Sequence, residues 1–303
     1  MGIVRIEEAH YGVEDLELCI RFFADFGLGA PDQKERTASY RTAAGQLLCL
    51  HDRREPELPP APEPGSTIRE VVWGVDRQSD LDVLVAGLGR DREITEDPAG
   101  TFHTHDDCGY GIGLRLVRDS AAQLWFREAN STGHERRWNE PLQRLGRARP
   151  YRMCHVAYHI PLAGREQSVT FYTERLGFHV TDQLVDMGTF MRAAGDADQH
   201  TLLLGHRADR RGINHIAFEV ANFDEVVEGG NHMVACGWPE SRRLGRHTIG
   251  SNVFRFFQAP CGGRVEYAAD MDRVDETYGP HVYQQRPPHH MWMLTTNGQK
   301  EEL

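Results

Sequence analysis

The fold is indicated by the stretch Ile213-Asn-His-Ile-Ala-Phe-Glu-Val220, because a stretch with a similar pattern occurs in the first half of the chain. The counterpart is Ile68-Arg-Glu-Val-Val-Trp-Gly-Val75, and a polar stretch and then a helical pattern follow each of them. Runs of this length and composition predict strands. A weaker similarity relates the helix-like residues 15–28 to residues 168–178, and both close at a glycine suited to a helix C-terminus. The chain is therefore predicted to contain four related units.

Each unit reads as a short strand, a helix of about three turns, and two or three strands rich in Val, Ile, Leu and aromatic residues. We place the units near residues 3–52, 66–128, 150–206 and 212–270. The proline-rich segment Arg53–Ser66 is predicted to connect the first two, because proline interrupts helices and central strands.

The predicted fold class is α+β, with two domains of two units each. A length of 303 residues suits two domains of ordinary size. We place the first domain at residues 1–146, the second at 147–285 and a tail at 286–303, because the second unit has ended and the third has not begun near residue 146.

Composition narrows the class of protein and its partners. The chain is 40% hydrophobic and 26% charged, and it has no apolar run near the roughly 18 residues of a membrane span, so a soluble protein without a membrane partner is expected. Its start does not resemble a signal peptide and its six cysteines form no Cys-x-x-Cys pair, which favours the cytoplasm. A net charge of −11 argues against nucleic acid and favours a small-molecule partner.

Three metal-capable side chains stand on predicted strands of the second half. Sixteen histidines make any one of them weak evidence, so the strand context has to decide. Alternate residues of a strand share a face, and a sheet that curls would bring His155, His215 and Glu266 together over one cavity. Two imidazoles and one carboxylate form the facial triad of non-haem Fe(II) oxygenases, which leaves coordination positions open.

At these residues the chain resembles a known family. With His155 in "CHVAYHIP", His215 in "GINHIAFEV" and Glu266 in "PCGGRVEY", its four units resemble the two-domain type I extradiol ring-cleavage dioxygenases of the vicinal oxygen chelate superfamily. The closing stretch is the most diagnostic part. It matches the family pattern at Gly245, His247, Ala259, Pro260, Gly262 and Glu266. It departs from the pattern with Arg255 at a usually apolar position and with Phe256 where the family has tyrosine.

The resemblance implies a fold, a metal site and a class of substrates. Each domain would form an open, incompletely closed barrel, and the protein would be a homo-oligomer, a dimer or a tetramer. His155, His215 and Glu266 would hold Fe(II), while a small aromatic diol of the catechol class and O₂ would be the substrates. Mn(II) stays open as the metal, since the same ligands suit both ions.

Two further histidines and one phenylalanine complete the implied site. His200 lies where the family keeps an active-site acid/base, and an imidazole suits proton transfer in both directions near neutral pH. His247 lies where the family keeps a histidine that hydrogen-bonds the substrate oxygen. Phe256 cannot donate the hydrogen bond that a tyrosine would give, so another group replaces it or the substrate is unusual.

The first half is expected to carry no metal. Glu70 stands where the second half has His215, and neither a matching histidine in the first unit nor a carboxylate in "QLWFRE", residues 123–128, completes a triad. The first domain would then serve as scaffold and assembly surface.

Two alternatives remain open from the sequence. Glyoxalase-like lyases and isomerases share the superfamily fold, although their sites usually draw four protein ligands from two paired units. A catechol- or drug-binding protein that kept the triad without turnover is the other alternative, and Phe256 favours it. Fold by itself does not select among these functions.

Overall fold

The computed structural model describes residues 2–117, 130–142 and 144–295, and these residues form two sheets. The first sheet contains β1 Ile3–Val13, β2 Asp32–Gln33, β3 Thr37–Arg41, β4 Leu47–Asp52, β5 Thr67–Val75, β6 Thr95–Glu96, β7 Phe102–His105 and β8 Gly111–Leu116. The second contains β9 Arg152–Pro161, β10 His179–Leu184, β11 Gly188–Arg192, β12 Leu202–Arg207, β13 Gly212–Glu219, β14 Glu240–His247, β15 Val253–Gln258, β16 Arg264–Ala269, β17 His281–Tyr283 and β18 His290–Met293.

The α-helices are α1 Leu16–Phe23, α2 Gln78–Leu88, α3 Arg165–Thr170 and α4 Phe223–Ala235. Five-residue π-helical turns, Ala24–Leu28 and Phe171–Arg175, extend α1 and α3. In the described part of the chain, no helix is both long and apolar enough to cross a membrane.

Four βαβββ units are present, as predicted. The strand order is β2-β3-β4-β1-β5-β8-β7-β6 in the first sheet and β17-β10-β11-β12-β9-β13-β16-β15-β14-β18 in the second. In every unit the first strand pairs parallel with the last, and the first strands of two successive units pair antiparallel at the centre of a sheet. Different strands stand at the two edges of each sheet, so neither sheet closes into a barrel. The predicted α+β class and open sheets are confirmed.

The segment after β1 shows how the local sequence specifies a helix. The Asp15 side chain accepts a hydrogen bond of 2.9 Å from the Leu18 backbone N–H and so caps α1. Cys19, Phe22 and Phe23 recur at helical spacing and are buried. Gly27 ends the helical path with φ of +104°, a conformation that favours glycine.

A single hydrophobic core contains residues of both sheets. Tyr267 of β16 stacks on Phe26 of the first domain, with 4.0 Å between ring centroids, and donates a hydrogen bond of 2.7 Å to the Phe26 carbonyl oxygen. Neighbouring side chains of a strand point to opposite faces, so the tyrosine that packs into this core leaves Glu266 on the other face of the sheet. The first domain thereby supports the strand that carries this carboxylate.

A second contact between the sheets fixes the start of β13. Tyr110 is the residue directly before β8. Its hydroxyl accepts a hydrogen bond of 2.6 Å from the Gly212 N–H and lies 2.6 Å from the His159 carbonyl oxygen. Glu63, in the proline-rich connector, accepts a hydrogen bond of 2.8 Å from the Ile213 N–H. The strand that carries His215 is therefore held at its first residues by the opposite half of the chain.

The predicted domain boundaries are not tested directly and stay a prediction. The boundary at residue 146 lies between the two sheets, after β8 and before β9. Residues 290–293 of the predicted tail form β18, which pairs with β14 at the edge of the second sheet. The first part of the tail is thus an integral part of that sheet.

Tyr110→Phe is expected to lower the free energy of unfolding by about 1–3 kcal/mol, because it leaves the buried Gly212 N–H and the His159 carbonyl without their partner. Tyr11→Phe is the matched control. Its buried hydroxyl has no hydrogen-bond partner among the described residues, so its loss is expected to change stability by less than about 0.5 kcal/mol. Urea unfolding of both variants measures the difference, and equal stabilities would remove Tyr110 as a structural tie.

Candidate metal centre

His155, His215 and Glu266 converge from three adjacent strands, β9, β13 and β16, and all three are buried. The His155 Nε2 atom lies 3.0 Å from His215 Nε2 and 3.1 Å from Glu266 Oε2, and His215 Nε2 lies 3.3 Å from the same oxygen. Three donor atoms so close to one another can share a single ion. The three predicted ligands are therefore brought together.

Strand register explains why these residues meet. Ala217 of β13 stands opposite both His155 of β9 and Glu266 of β16. The residue between the two long side chains therefore carries only a methyl group. If side chains alternated regularly along β13, Ile213 and His215 would share one face of the sheet. The register of the pairing between β9 and β13, however, shifts between these two residues. This β-bulge re-aims side chains, so Asn214 lines the same cavity as its neighbours.

Side-chain amides set the protonation of the ligands. The Asn214 Oδ1 atom lies 2.9 Å from His215 Nδ1 and can only accept, so Nδ1 carries the proton and Nε2 presents a lone pair to the site. The Asn252 Nδ2 group donates a hydrogen bond of 3.0 Å to Glu266 Oε1, which leaves Oε2 facing the histidines. Partners of this kind orient metal ligands.

The electrostatics of the three ligands fit a divalent cation. Burial raises the pKa of Glu266 to about 8, offset in part by Arg264 and Arg242. Burial lowers the pKa of His155 to about 3, with a smaller contribution from Arg152, and it holds the pKa of His215 well below its usual range. The imidazoles are therefore neutral and ready to ligate, while the carboxylate lacks a counter-charge that a cation would supply. This donor set suits Fe(II).

His200 lies beside the three ligands, with its ring centroid 4.4 Å from that of His155. The Gln199 Oε1 atom lies 2.7 Å from His200 Nδ1, and the Gln199 Nε2 group donates to Asp182. Because these contacts fix the amide orientation, His200 carries its proton on Nδ1 and leaves Nε2 as an acceptor. Burial, followed by the neighbouring His155, lowers the pKa of His200 well below its usual range.

His247 and Phe256 stand on the other side of the ligands. His247 Nε2 lies 3.9 Å from Glu266 Oε1, and its ring stacks on Phe254 with 4.0 Å between centroids. Phe256 stands directly opposite Glu266 in the pairing of β15 with β16, and its ring is 5.1 Å from that of His215. Phe256 therefore forms a wall of the site, at the position where the sequence departs from the family pattern.

A cavity of about 520 Å³ opens above the ligands. His155, His200, His215, His247 and Phe256 all line it. Five arginines line it as well: Arg207, Arg210, Arg242, Arg264 and Arg286. Aspartate and glutamate are absent from the lining as far as the described residues form it. The cavity thus offers a strongly positive surface next to the ligands.

The first sheet has a different set of residues at the corresponding positions. Glu70 replaces His215, as predicted, and strand pairing places Glu8 and Gly113 where the second sheet has His155 and Glu266. Residues 123–128, which the sequence comparison considered, lie outside the described residues. Elsewhere in the same sheet three potential ligands approach one another: His10, Cys49 and His51. The expectation that the first half holds no metal stays a prediction.

Sequence reasoning missed the residues around the ligands. The pairs Gln199-His200 and Asn214-His215 were visible as an amide directly before a histidine, and that signal would have found two of the orienting groups. Asn252 and the five arginines carried no comparable signal, because they come from separate strands and loops. His159, which stands on the same strand as His155, also lines the cavity.

The paired βαβββ units in open sheets define the vicinal oxygen chelate fold, and known proteins agree with this class. Residues 155–267 match the model of the Glyoxalase/Bleomycin resistance protein/Dioxygenase superfamily. Metapyrocatechase 2 of Cupriavidus necator is 34% identical over 128 residues, which cover 42% of this chain and 39% of that protein. The chain thus matches less than half of the length of this relative.

Solved structures share the fold along nearly the whole chain. The 2,2',3-trihydroxybiphenyl 1,2-dioxygenase from Sphingomonas wittichii strain RW1 has a TM-score of 0.74 at 16% identity, with 96% of this chain and 98% of that chain covered. The Mn(II)-bound glyoxalase from Novosphingobium aromaticivorans has a TM-score of 0.71 at 21% identity, with 98% and 99% covered. At such identities the similarity establishes the fold alone.

Glu266→Gln is expected to abolish stoichiometric binding of a divalent metal, because a neutral amide of equal size cannot offset the charge of the ion. Elemental analysis after reconstitution with Fe(II) without oxygen measures metal per chain. The exposed Glu174→Gln is the control and is expected to keep one ion. Full metal content in the Glu266 variant would contradict the assignment, and a second ion in the unmodified protein would point to one of the other clusters of potential ligands, such as His10, Cys49 and His51.

Proposed function

We propose that the protein is an extradiol dioxygenase, an oxidoreductase that cleaves the ring of a catechol and incorporates both atoms of O₂. The observation that carries the proposal is the donor set of two neutral imidazoles and one carboxylate, which opens on a cavity with two further neutral histidines. The similarity to Metapyrocatechase 2 supports the same class. The ring bond that is cleaved lies next to the two hydroxyl-bearing carbons rather than between them, as the family resemblance implies.

The proposed ligands are His155, His215 and Glu266, and the proposed metal is Fe(II), with Mn(II) as the alternative. When bound, the ion supplies positive charge that favours the deprotonated catechol and leaves positions for both reactants. Asn214 and Asn252 keep two of the ligands in the orientation that presents lone pairs to it. The binding of substrate then depends on the walls of the cavity.

His200 is proposed as the acid/base. Its ring lies 4.4 Å from that of His155 and its Nε2 is left as an acceptor, while Gln199, oriented by Asp182, holds the Nδ1 proton in place. Nε2 takes a proton from the substrate hydroxyl and returns one later, and burial keeps the imidazole neutral at the start. His247 is proposed to hydrogen-bond a substrate oxygen from the opposite wall.

The proposal also covers the location and assembly of the protein, and two alternatives to it remain testable. A catabolic enzyme for small aromatic diols would work in the cytoplasm and would assemble as a homo-oligomer, a dimer or a tetramer. Sites of the glyoxalase-like alternative usually draw four protein ligands, and His247, whose Nε2 lies 3.9 Å from Glu266 Oε1, is a candidate for the fourth. The binding-protein alternative requires metal and catechol binding without O₂ consumption.

The Fe(II)-loaded protein is expected to consume one O₂ per catechol cleaved and to form a yellow ring-opened product. An oxygen electrode and absorbance spectra over a panel of ortho-diols measure both quantities. The absence of O₂ uptake with every diol, despite bound Fe(II), would leave the binding-protein alternative.

His200→Asn separates the acid/base from the ligands. It is expected to keep one metal ion while kcat falls on the order of 10²–10⁴-fold, the usual contribution of a positioned acid/base. His206→Asn, a buried histidine of β12 that does not line the cavity, serves as the matched control. Unchanged kcat in the His200 variant would remove this residue from the proton transfer.

Phe256→Tyr tests the departure from the family pattern. The new hydroxyl would enter a buried wall between His215 and the arginines, where it needs a partner to offset its desolvation. We expect kcat/KM to fall by on the order of tenfold, since the pocket has been shaped around phenylalanine and a desolvated hydroxyl costs about 1–3 kcal/mol. Stopped-flow product formation measures the change, and a large gain in rate would show that the tyrosine role stands vacant in this chain.

A further inference from the structure

Five arginines line the cavity, and four of them have no ion pair in the part of the chain that the structure describes. Arg207, Arg242, Arg264 and Arg286 form no ion pair with a carboxylate among the described residues. Arg210 alone has one, with 4.0 Å between its guanidinium and Glu63 Oε2. These arginines come from β12, β14, β16 and the loops before β13 and β18, so they converge only in the folded chain.

Arginines outside the cavity that are largely shielded from solvent have partners: Arg69 and Arg192 donate to backbone carbonyl oxygens, and three others pair with carboxylates. Arg115 lies 2.9 Å from Glu8 Oε1, Arg152 lies 2.5 Å from Asp198 Oδ2, and Arg255 lies 2.5 Å from Glu240 Oε1. The chain has 45 acidic and 34 basic residues, so carboxylates to pair with were abundant. A group of unpaired cations in one concave surface therefore points to an anion supplied from outside.

We propose that the substrate is a catechol that carries a carboxylate on its ring substituent, and that these arginines bind this carboxylate. The inference rests on the proposed function for the diol end of the substrate. Arginine suits the other end, because its planar fork matches a carboxylate with two parallel hydrogen bonds.

The ionised diol does not account for this charge. One divalent ion together with Glu266 has a net charge of +1, which a singly ionised catechol already neutralises. The arginines would then remain repulsive toward one another in a half-enclosed cavity. Burial lowers the pKa of Arg242, Glu266 offsets this effect in part, and the neighbouring Arg286 and Arg207 lower the pKa further.

The positions of the cavity walls determine how long the ring substituent of the substrate can be. The guanidinium carbons of Arg264 and Arg242 lie 4.9 and 5.6 Å from the centroid of the Phe256 ring, which in turn faces His215. Arg264 and Arg242 therefore contact the same aromatic ring that packs against the candidate ligand His215. A diol held at the ligands reaches them with a short side chain, and Phe256 provides the apolar surface between the two ends.

The test compares 3,4-dihydroxyphenylacetate with its methyl ester, which keeps the diol and removes the charge. Titration calorimetry of the Fe(II)-loaded protein without oxygen measures the two Kd values and does not require turnover. The acid is expected to bind on the order of tenfold or more tightly than the ester, the usual effect of a hydrogen-bonded charged group. Equal affinities, or tighter binding of the ester, would overturn the inference.

Arg242→Gln and Arg207→Gln test the residues themselves. Each is expected to reduce the ratio of acid to ester affinity by on the order of tenfold. Arg243→Gln is the matched control, since Arg243 neighbours Arg242 on β14 and does not line the cavity. Thermal unfolding checks that each variant is folded, and the more exposed Arg207 provides the second variant. A ratio that stays constant in both cavity variants would also overturn the inference.

Oxygen uptake with the same two compounds separates this inference from the proposed function. Preferential binding of the acid without O₂ uptake would leave the arginine site standing and remove the dioxygenase. Equal turnover of acid and ester at equal affinity would leave the dioxygenase standing and remove the arginine site.

Discussion

The buried carboxylate of Glu266 is the constraint on which the rest of the structure depends. A carboxylate without exposure to water is unstable unless an opposite charge or hydrogen bonds compensate it, and burial raises its pKa to about 8. Asn252 supplies one hydrogen bond, and two neutral imidazoles leave room for a cation. Because Tyr267 packs the other side of the same strand against Phe26, the carboxylate is held in this position by the core itself.

The two halves of the chain have the same fold but different residues at the corresponding strand positions. Strand pairing gives Glu8, Glu70 and Gly113 to the first sheet at the positions where the second has its three candidate ligands. The first sheet contributes support instead, through Tyr110, the connector residue Glu63 and the ring of Phe26. The first sheet thus positions strands of the second, which contains the candidate metal ligands.

Much of the fold, and the convergence of the three candidate ligands, could be predicted from the sequence, because strand periodicity and helix caps are local signals. Asp15 and Gly27 mark the ends of the first helical segment, and the paired stretches 68–75 and 213–220 reveal the duplication. The bulge at Asn214 could not be predicted from alternation, since it arises from pairing with β9. The convergence of the arginines was equally hidden, because it depends on loops far apart in the chain.

The sequence by itself determined the four units, the strand that each ligand occupies and the phenylalanine at position 256. Those properties follow from the order of side chains along one segment, and period and residue type are enough to read them. Tertiary structure alone decided the distances among the ligands, the proton positions on His200 and His215 and the positive charge of the cavity. The physical reason is that contacts and electrostatic fields sum over residues from separate strands, whose neighbours exist only after the sheets have curled and packed.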